Sequence, residues 1–168
     1  MSNKIIFLDV DGVLNYSHYT NTDTNDIDPS KVDMLSELCR KTNAKVVITS
    51  SWRGSDTYTP RIYGILRDIL AKHNIPVLGD APYIKLEFDN ERPNHKHSYT
   101  IKFGTGRGAE VMQYIMDNRI EKYVIFDDED WDWDAYGIDD HWCQCVYHSE
   151  HQGGLQQKHI EKAIQLLS

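Results

Sequence analysis

Cysteine is scarce in this chain, with Cys39, Cys143 and Cys145 the three among 168 residues. An odd and small number cannot build the disulfide framework of a small secreted domain, so a reducing, cytoplasmic setting is expected. Long apolar runs are missing as well. The N-terminal stretch Ile5 to Leu8 runs straight into Asp9, so no secretory leader is expected. No segment approaches the roughly 20 apolar residues of a membrane span. Positive charge is also in short supply: 18 Lys and Arg stand against 26 Asp and Glu, for a formal net charge of −8. That balance excludes an extended nucleic-acid footprint, which needs a basic face, while leaving room for a small basic pocket. Repeats and low-complexity tracts are absent. What remains is one α/β domain expected over 1–168, with enough chain to bury a core unaided.

Strand and helix patterns alternate, which predicts a three-layer, Rossmann-like parallel sheet of about five strands with helices on both faces. Lys4–Asp9 reads as the first strand. Asn15–Asp28 is polar and aperiodic, a loop or short hairpin. Asp28-Pro29 then reads as an N-cap with proline in the first turn, and Val32, Leu35, Leu38 and Cys39 form the buried stripe of the helix that follows. Lys45–Thr49 is rich in β-branched residues, as suits a central strand. Thr59-Pro60 opens a helix with Ile62, Ile65, Leu66, Ile69 and Leu70 at helical spacing. Asn74–Leu78 is a short third strand near the sheet edge. Residues 79–106 show no clear helix and mix Lys85, Arg92, His95, Lys96 and His97 with acids, a loop long enough to be functional. A helix over Arg107–Asn118, strands at Tyr123–Phe126 and Cys143–Tyr147, and a helix over Leu155–Leu167 complete the pattern.

Three of these strands end in groups suited to a phosphoryl ligand. The first delivers Asp9 and Asp11, with Gly12 turning the chain away; the second delivers Thr49, Ser50 and Ser51; the fourth delivers Asp127 and Asp128. Two anions as close as Asp9 and Asp11 resist ionisation unless a cation or donors compensate, which implies a hard metal such as Mg²⁺. In an open α/β sheet, ligands bind beyond the carboxyl ends of the strands where the strand order reverses. If the first, second and fourth strands are neighbours, these clusters share one crevice.

FLDVDGVLN (7–15), KVVITSS (45–51), RGAEV (107–111) and VIFDD (124–128) together resemble the haloacid dehalogenase (HAD) superfamily of aspartate-nucleophile phosphohydrolases. The run VLN, TSSWR, RGAEV and FDD is most similar to the small, nearly capless branch that includes HAD domains of RNA-repair proteins. The resemblance implies Asp9 as nucleophile and Asp11 as acid and base. It implies Thr49 and backbone N–H groups around Ser50 as phosphate ligands, with Arg107 neutralising phosphoryl charge. Mg²⁺ would be held by Asp128, with Asp127 beside it, together with Asp9 and the backbone carbonyl of Asp11. Many members carry lysine in the third motif, where arginine stands here; Lys102 is therefore the competing cation. The implied activity is hydrolysis of a phosphomonoester, on a phosphorylated small molecule or a nucleic-acid end. The other reading is a non-catalytic Mg²⁺- and phosphate-binding docking module.

Further side chains have two readings each. Arg53 either reaches substrate or braces the carboxylate loop from outside. Trp131 and Trp133 either stack on a base or sugar or fold down over the sheet end, and Asp132 has the spacing to support the metal site. His141, Cys143, Cys145, His148 and His151 bring imidazole and thiol ligands together, but no paired Cys-x₂-Cys spacing supports zinc, and Cys143 and Cys145 read as small core hydrophobes. The segments after the first motif and at 79–106 are too short for a globular cap, so the site is expected to admit large substrates or a polymer end. The oligomeric state is not readable from the chain.

Overall fold

The computed structural model describes residues 3–53, 60–89 and 100–168. Thr59, Arg92, His95, Lys96 and His97, named above, lie outside the described residues. β1 (Lys4–Leu8), β2 (Lys45–Ile48), β3 (Val77–Asp80), β6 (Lys122–Asp127) and β7 (Trp142–Gln144) form one parallel sheet in the order β3-β2-β1-β6-β7. β1 is thus central, and the chain steps outward through β2 and β3 before returning to β6 on the other side. The reversal falls between β1 and β6, where a doubly wound sheet opens a crevice.

Alternation along the strands decides what meets what, because successive side chains point to opposite faces. Ile6, Leu8, Val46, Ile48, Val124 and Phe126 join a core with Val32, Leu35 and Leu38 of α1 (Pro29–Thr42), Leu66 and Leu70 of α2 (Pro60–Lys72), and Ile160 and Ala163 of α4 (Gln157–Leu166). Ile5, Phe7, Val47 and Ile125 face the other way, toward Val111 of α3 (Gly106–Asn118), Trp133 and Ile138. Three helices therefore cover one face and α3 the other: the three-layer, Rossmann-like α/β arrangement expected from the pattern. Local chemistry agrees at α1, where the Asp28 carboxylate accepts from Ser30 N–H at 2.9 Å, proline follows, and left-handed Asn43 ends the helix.

The structure departs from the sequence reading at several boundaries. The third strand is Val77–Asp80 rather than Asn74–Leu78, since Ile75 N–H is still bonded to Leu70 C=O at 3.0 Å in the turn that ends α2. The last strand stops at Gln144; beyond it, Val146 makes one antiparallel bridge to Gly154. Residues 15–28 are loop with a 3-10 turn at Thr22–Thr24. Within 79–106 lie two short strands that pair antiparallel, β4 (Phe88–Asp89) and β5 (Thr100–Ile101). Two-residue strands carry too little alternation to be read from periodicity. No helix among the described residues is long and apolar enough to cross a membrane.

Phe7 lies in the layer directly beneath the end of β1. It is fully buried and meets Tyr114 and Tyr123 edge-on at 5.7 and 6.0 Å. Phe7→Ala removes this packing between β1 and α3, and a loss of about 3–5 kcal/mol in urea unfolding is expected; a loss under about 1 kcal/mol would show that the layer is not tightly packed.

Candidate active site

The strand register carries the clusters to one level. Leu8 pairs with Ile48 on one side and with Phe126 on the other, so the next residues in line are Asp9, Thr49 and Asp127. The ladder continues through them: Asp9 N–H bonds Phe126 C=O at 3.0 Å and Thr49 N–H bonds Leu8 C=O at 2.9 Å. All three share the parity of Phe7, Val47 and Ile125, which is the face that α3 covers. The residue that α3 offers there is Arg107. Its Nη1 lies 3.0 Å from Asp9 Oδ2 and 2.8 Å from Asp127 Oδ2, and its guanidinium sits over the Trp131 ring at 4.7 Å. No side chain caps the N-terminus of α3, because the Thr105 hydroxyl bonds Lys102 C=O instead, at 2.7 Å. Free N–H groups and the helix dipole thus add to the positive field around Arg107.

Carboxylate oxygens of Asp9, Asp127 and Asp128 all lie within 4.8 Å of one another. Burial pushes the Asp9 carboxyl up to about 7, with Arg107 opposing the shift and Asp127 and Asp11 adding to it. Burial likewise raises Asp128 to about 7, reinforced by the Asp9 charge. Asp127 is raised by burial against the pull of Arg107. For Arg107 burial favours losing the proton, yet the Asp9 and Asp127 charges win and hold it charged. One guanidinium cannot compensate three carboxylates. The group has the composition that fits a hard divalent cation: oxygen donors only, one strand-end pair plus an adjacent loop carboxylate.

The Asp11 carboxylate stands outside this group. Its Oδ1 accepts from Asn15 Nδ2 at 2.8 Å and its Oδ2 from Trp52 Nε1 at 3.0 Å. Asn15 also receives Gly12 N–H at 2.9 Å, which closes the turn after β1. For Asp11, the expected metal contact therefore falls to its backbone carbonyl alone. Thr49 is buried and its hydroxyl has no hydrogen-bond partner among the described residues. Ser50 is fully buried, with its hydroxyl receiving Trp52 N–H at 3.2 Å. Gly12 has φ +77, and a Cβ there would lie 2.4 Å from Asp128 Cγ. The absent side chain is what lets Asp128 lean onto the turn.

Of the two cations weighed, Arg107 faces Asp9, whereas Lys102 pairs with Glu87 at 3.0 Å, both more than half exposed. Arg53 is a brace over most of its guanidinium. It forms a buried ion pair with Glu110 and donates to Ala81 C=O at 3.0 Å and Pro82 C=O at 3.4 Å. Glu110 in turn receives Ile84 N–H at 2.9 Å, so the pair ties the β2 loop to α3 and to the segment after β3. Trp133 folds down fully buried, its indole N–H on Glu129 C=O at 3.1 Å, while Trp131 stays partly exposed beside Arg107. Asp132 groups with Asp130 and Asp134 rather than with Asp128. Cys143 and Cys145 are free and buried, and no Cys/His metal group occurs among the described residues. Asn15, Trp52 and Glu110 are parts of the site that motif reading left without a role. Trp52 and Glu110 stood inside the quoted runs TSSWR and RGAEV, but only the fold shows which carboxylate or guanidinium each reaches.

The family model for the HAD domain in Swiss Army Knife RNA repair proteins matches residues 5–160. No curated protein matches the chain.

Two expectations follow from the carboxylate group. A raised carboxyl holds its proton in the folded state after the unfolded chain, with a pKa near 3.8, has released it. Metal-free stability is therefore full below about pH 4 and falls as pH rises through about 7. A divalent cation such as Mg²⁺ would bind the deprotonated group, so the increase in melting temperature on adding Mg²⁺ should be larger at about pH 8 than at about pH 5. Thermal unfolding in EDTA and in Mg²⁺ measures both, and an Mg²⁺ effect that shrinks with rising pH contradicts this account. Gly12→Ala should displace Asp128 and weaken Mg²⁺ binding by about tenfold or more in calorimetry; wild-type affinity would show that the turn tolerates the methyl.

Proposed function

We propose that this chain, which belongs to the haloacid dehalogenase (HAD) superfamily, hydrolyses phosphomonoesters through an aspartyl-phosphate on Asp9. The observation that carries the reading is the place of Asp9. It sits at the end of the central strand, beside Arg107 at 3.0 Å and within 4.8 Å of Asp127 and Asp128. Phosphoryl transfer asks chiefly for positioning and charge neutralisation. Asp9, Asp127 and Asp128 would hold Mg²⁺, which when bound neutralises phosphoryl charge and favours ionised carboxylates.

The Asp9 carboxylate attacks phosphorus, and the bond from phosphorus to the ester oxygen breaks. Asp11 gives its proton to that departing oxygen. In the second half Asp11 takes a proton from water as the water attacks phosphorus, and the bond to Asp9 breaks. Asn15 and Trp52 donate to both oxygens of Asp11 and so fix the carboxylate two residues beyond the nucleophile. The Thr49 hydroxyl, without a partner among the described residues, donates to a phosphoryl oxygen, and backbone N–H groups around Ser50 assist. Arg107 offsets the charge of the transferred group and holds Asp127 in place at 2.8 Å.

The substrate in this reading is a phosphorylated small molecule or a nucleic-acid end. A modest cover supports it: the described part of 79–106 adds only a two-stranded ribbon beside the site. Three free, buried cysteines suit the reducing cytoplasm proposed as its setting.

Purified protein should release phosphate from para-nitrophenyl phosphate only with Mg²⁺. Asp9→Asn should lower that rate by about a thousandfold or more with an unchanged circular dichroism spectrum. Wild-type turnover by Asp9→Asn refutes the nucleophile. Tight beryllofluoride binding by wild-type protein that hydrolyses no phosphomonoester would point instead to a phosphate-binding docking module.

A further inference from the structure

A cavity of about 170 Å³ adjoins the carboxylate group through Arg107, which lines it; Arg53, Tyr83, Ile84, Leu86 and Trp131 are among its other walls. Two larger cavities, of about 550 and 350 Å³, share no residue with the group around Asp9. Of the three, the small one is the recess beside a phosphoryl group at Asp9. Its charges are already matched. Arg107 meets Asp9 at 3.0 Å and Asp127 at 2.8 Å, and Arg53 pairs with Glu110 and donates to the Ala81 and Pro82 carbonyls. Glu110 gives its other oxygen to Ile84 N–H. Arg53 Nε and Trp131 Nε1 are buried in the protein and present no donor surface. Apart from the Ser51 and Tyr83 hydroxyls, what the walls offer is apolar: the side chains of Ile84 and Leu86, the Tyr83 ring and the Trp131 indole. Such walls gain most from an uncharged, apolar occupant, because a charged one gives up its water and finds no free partner. Tyr83 is 69% exposed, so the cavity is open to solvent on that side.

Size narrows the occupant further. An apolar cavity of about 150 Å³ holds benzene, so about 170 Å³ has room for one six-membered ring and not for two fused ones. Two of its walls are aromatic, which adds edge and face contacts to a flat occupant. Leu86 limits the space. Its Cδ1 lies 2.8 Å from where a Cβ on Gly106 would stand, and Trp131 Cε3 lies 3.8 Å from the same point. Leu86 therefore closes against the start of α3 beside the indole, within reach of the ligand but outside the group that holds Asp9.

We propose that this cavity is the leaving-group pocket, that it receives a single uncharged aromatic ring attached at or one carbon from the ester oxygen, and that Leu86 sets the largest ring it accepts. The substrate class narrows accordingly to phosphomonoesters of compact, uncharged cyclic alcohols and phenols. This rests on the hydrolytic reading for the neighbouring group, but the pocket is testable by binding alone.

Phosphonates are suitable probes, since a carbon in place of the ester oxygen leaves no bond for the enzyme to hydrolyse. Calorimetry on wild-type protein with Mg²⁺ compares ethylphosphonate, benzylphosphonate and naphthylmethylphosphonate. Benzylphosphonate should bind tighter than ethylphosphonate by about tenfold or more, and the two-ring probe should bind more weakly than benzylphosphonate. Leu86→Trp fills the cavity and should bring the benzyl-to-ethyl ratio toward one. Leu86→Ala deepens it and should make the naphthyl probe the tightest of the three. Ethylphosphonate affinity, unchanged in both variants, shows that the fold and the phosphonate site persist. Equal affinities for ethyl- and benzylphosphonate, no binding of any probe, or a ring preference that neither substitution alters overturns the pocket. A ring preference in wild-type protein that hydrolyses no phenyl phosphate upholds the pocket and counts against the hydrolytic reading.

Discussion

One arginine shared between two carboxylates makes the rest of the site tenable. Asp9 and Asp127 end adjacent strands, and their registers bring them side by side on the face of α3. Buried together they repel, and burial alone penalises each charge. Arg107 reaches both through a single nitrogen, at 3.0 and 2.8 Å. Its position is supported from two sides. α3 begins one residue earlier, and the Trp131 ring lies against the guanidinium. Gly108 makes that closeness possible, since a Cβ there would meet Trp131 C=O at 2.6 Å. The Asp9 carboxylate, the Arg107 guanidinium and the Trp131 indole thus form a stack in which each member restricts the next.

A second layer fixes the Asp11 carboxylate independently of the first. Asp11 is held by Asn15 from its own turn and by Trp52 from the loop after β2. The Trp52 indole is buried in the α1 core, so the orientation of Asp11 is coupled to packing on the face opposite Arg107. The two carboxylates of Asp-x-Asp consequently answer to different cores: Asp9 to the α3 side, Asp11 to residues anchored in the α1 and α2 side. Two residues apart in sequence, they take their orientations from opposite faces of the sheet, while the Asp11 charge still adds to the raising of Asp9.

The strand ends that matter were legible in the chain because each is an apolar run broken by polar residues, a contrast that survives without knowledge of neighbours. Asp9, Thr49, Asp127 and Asp128 fall where that contrast falls. The neighbour relation itself was not legible: it depends on β6 returning to the inner side of β1, a choice set by the right-handed crossover and the burial of both β1 faces. Asn15, Trp52 and Glu110 escaped for a related reason. An amide, an indole and a helical glutamate gain meaning only from the partner across the fold, and nothing local separates them from ordinary polar or packing residues. Arg53 shows the same limit, since brace and ligand contact were equally open until Glu110 and the 81–84 backbone were placed around it. The ribbon within 79–106 was hidden by its brevity.

Because Asp9, Thr49 and Asp127 are consecutive rungs across three hydrogen-bonded strands, their separations are inherited from the sheet itself. Neighbouring strands lie about 4.7–4.9 Å apart whatever their side chains. Connecting loops can then lengthen, shorten or exchange sequence without detuning that spacing, while a slip of one residue in the β1–β6 pairing would dismantle it at once. Diversification in such a protein is channelled into the surroundings of the crevice, and the geometry at its floor stays as rigid as the ladder beneath.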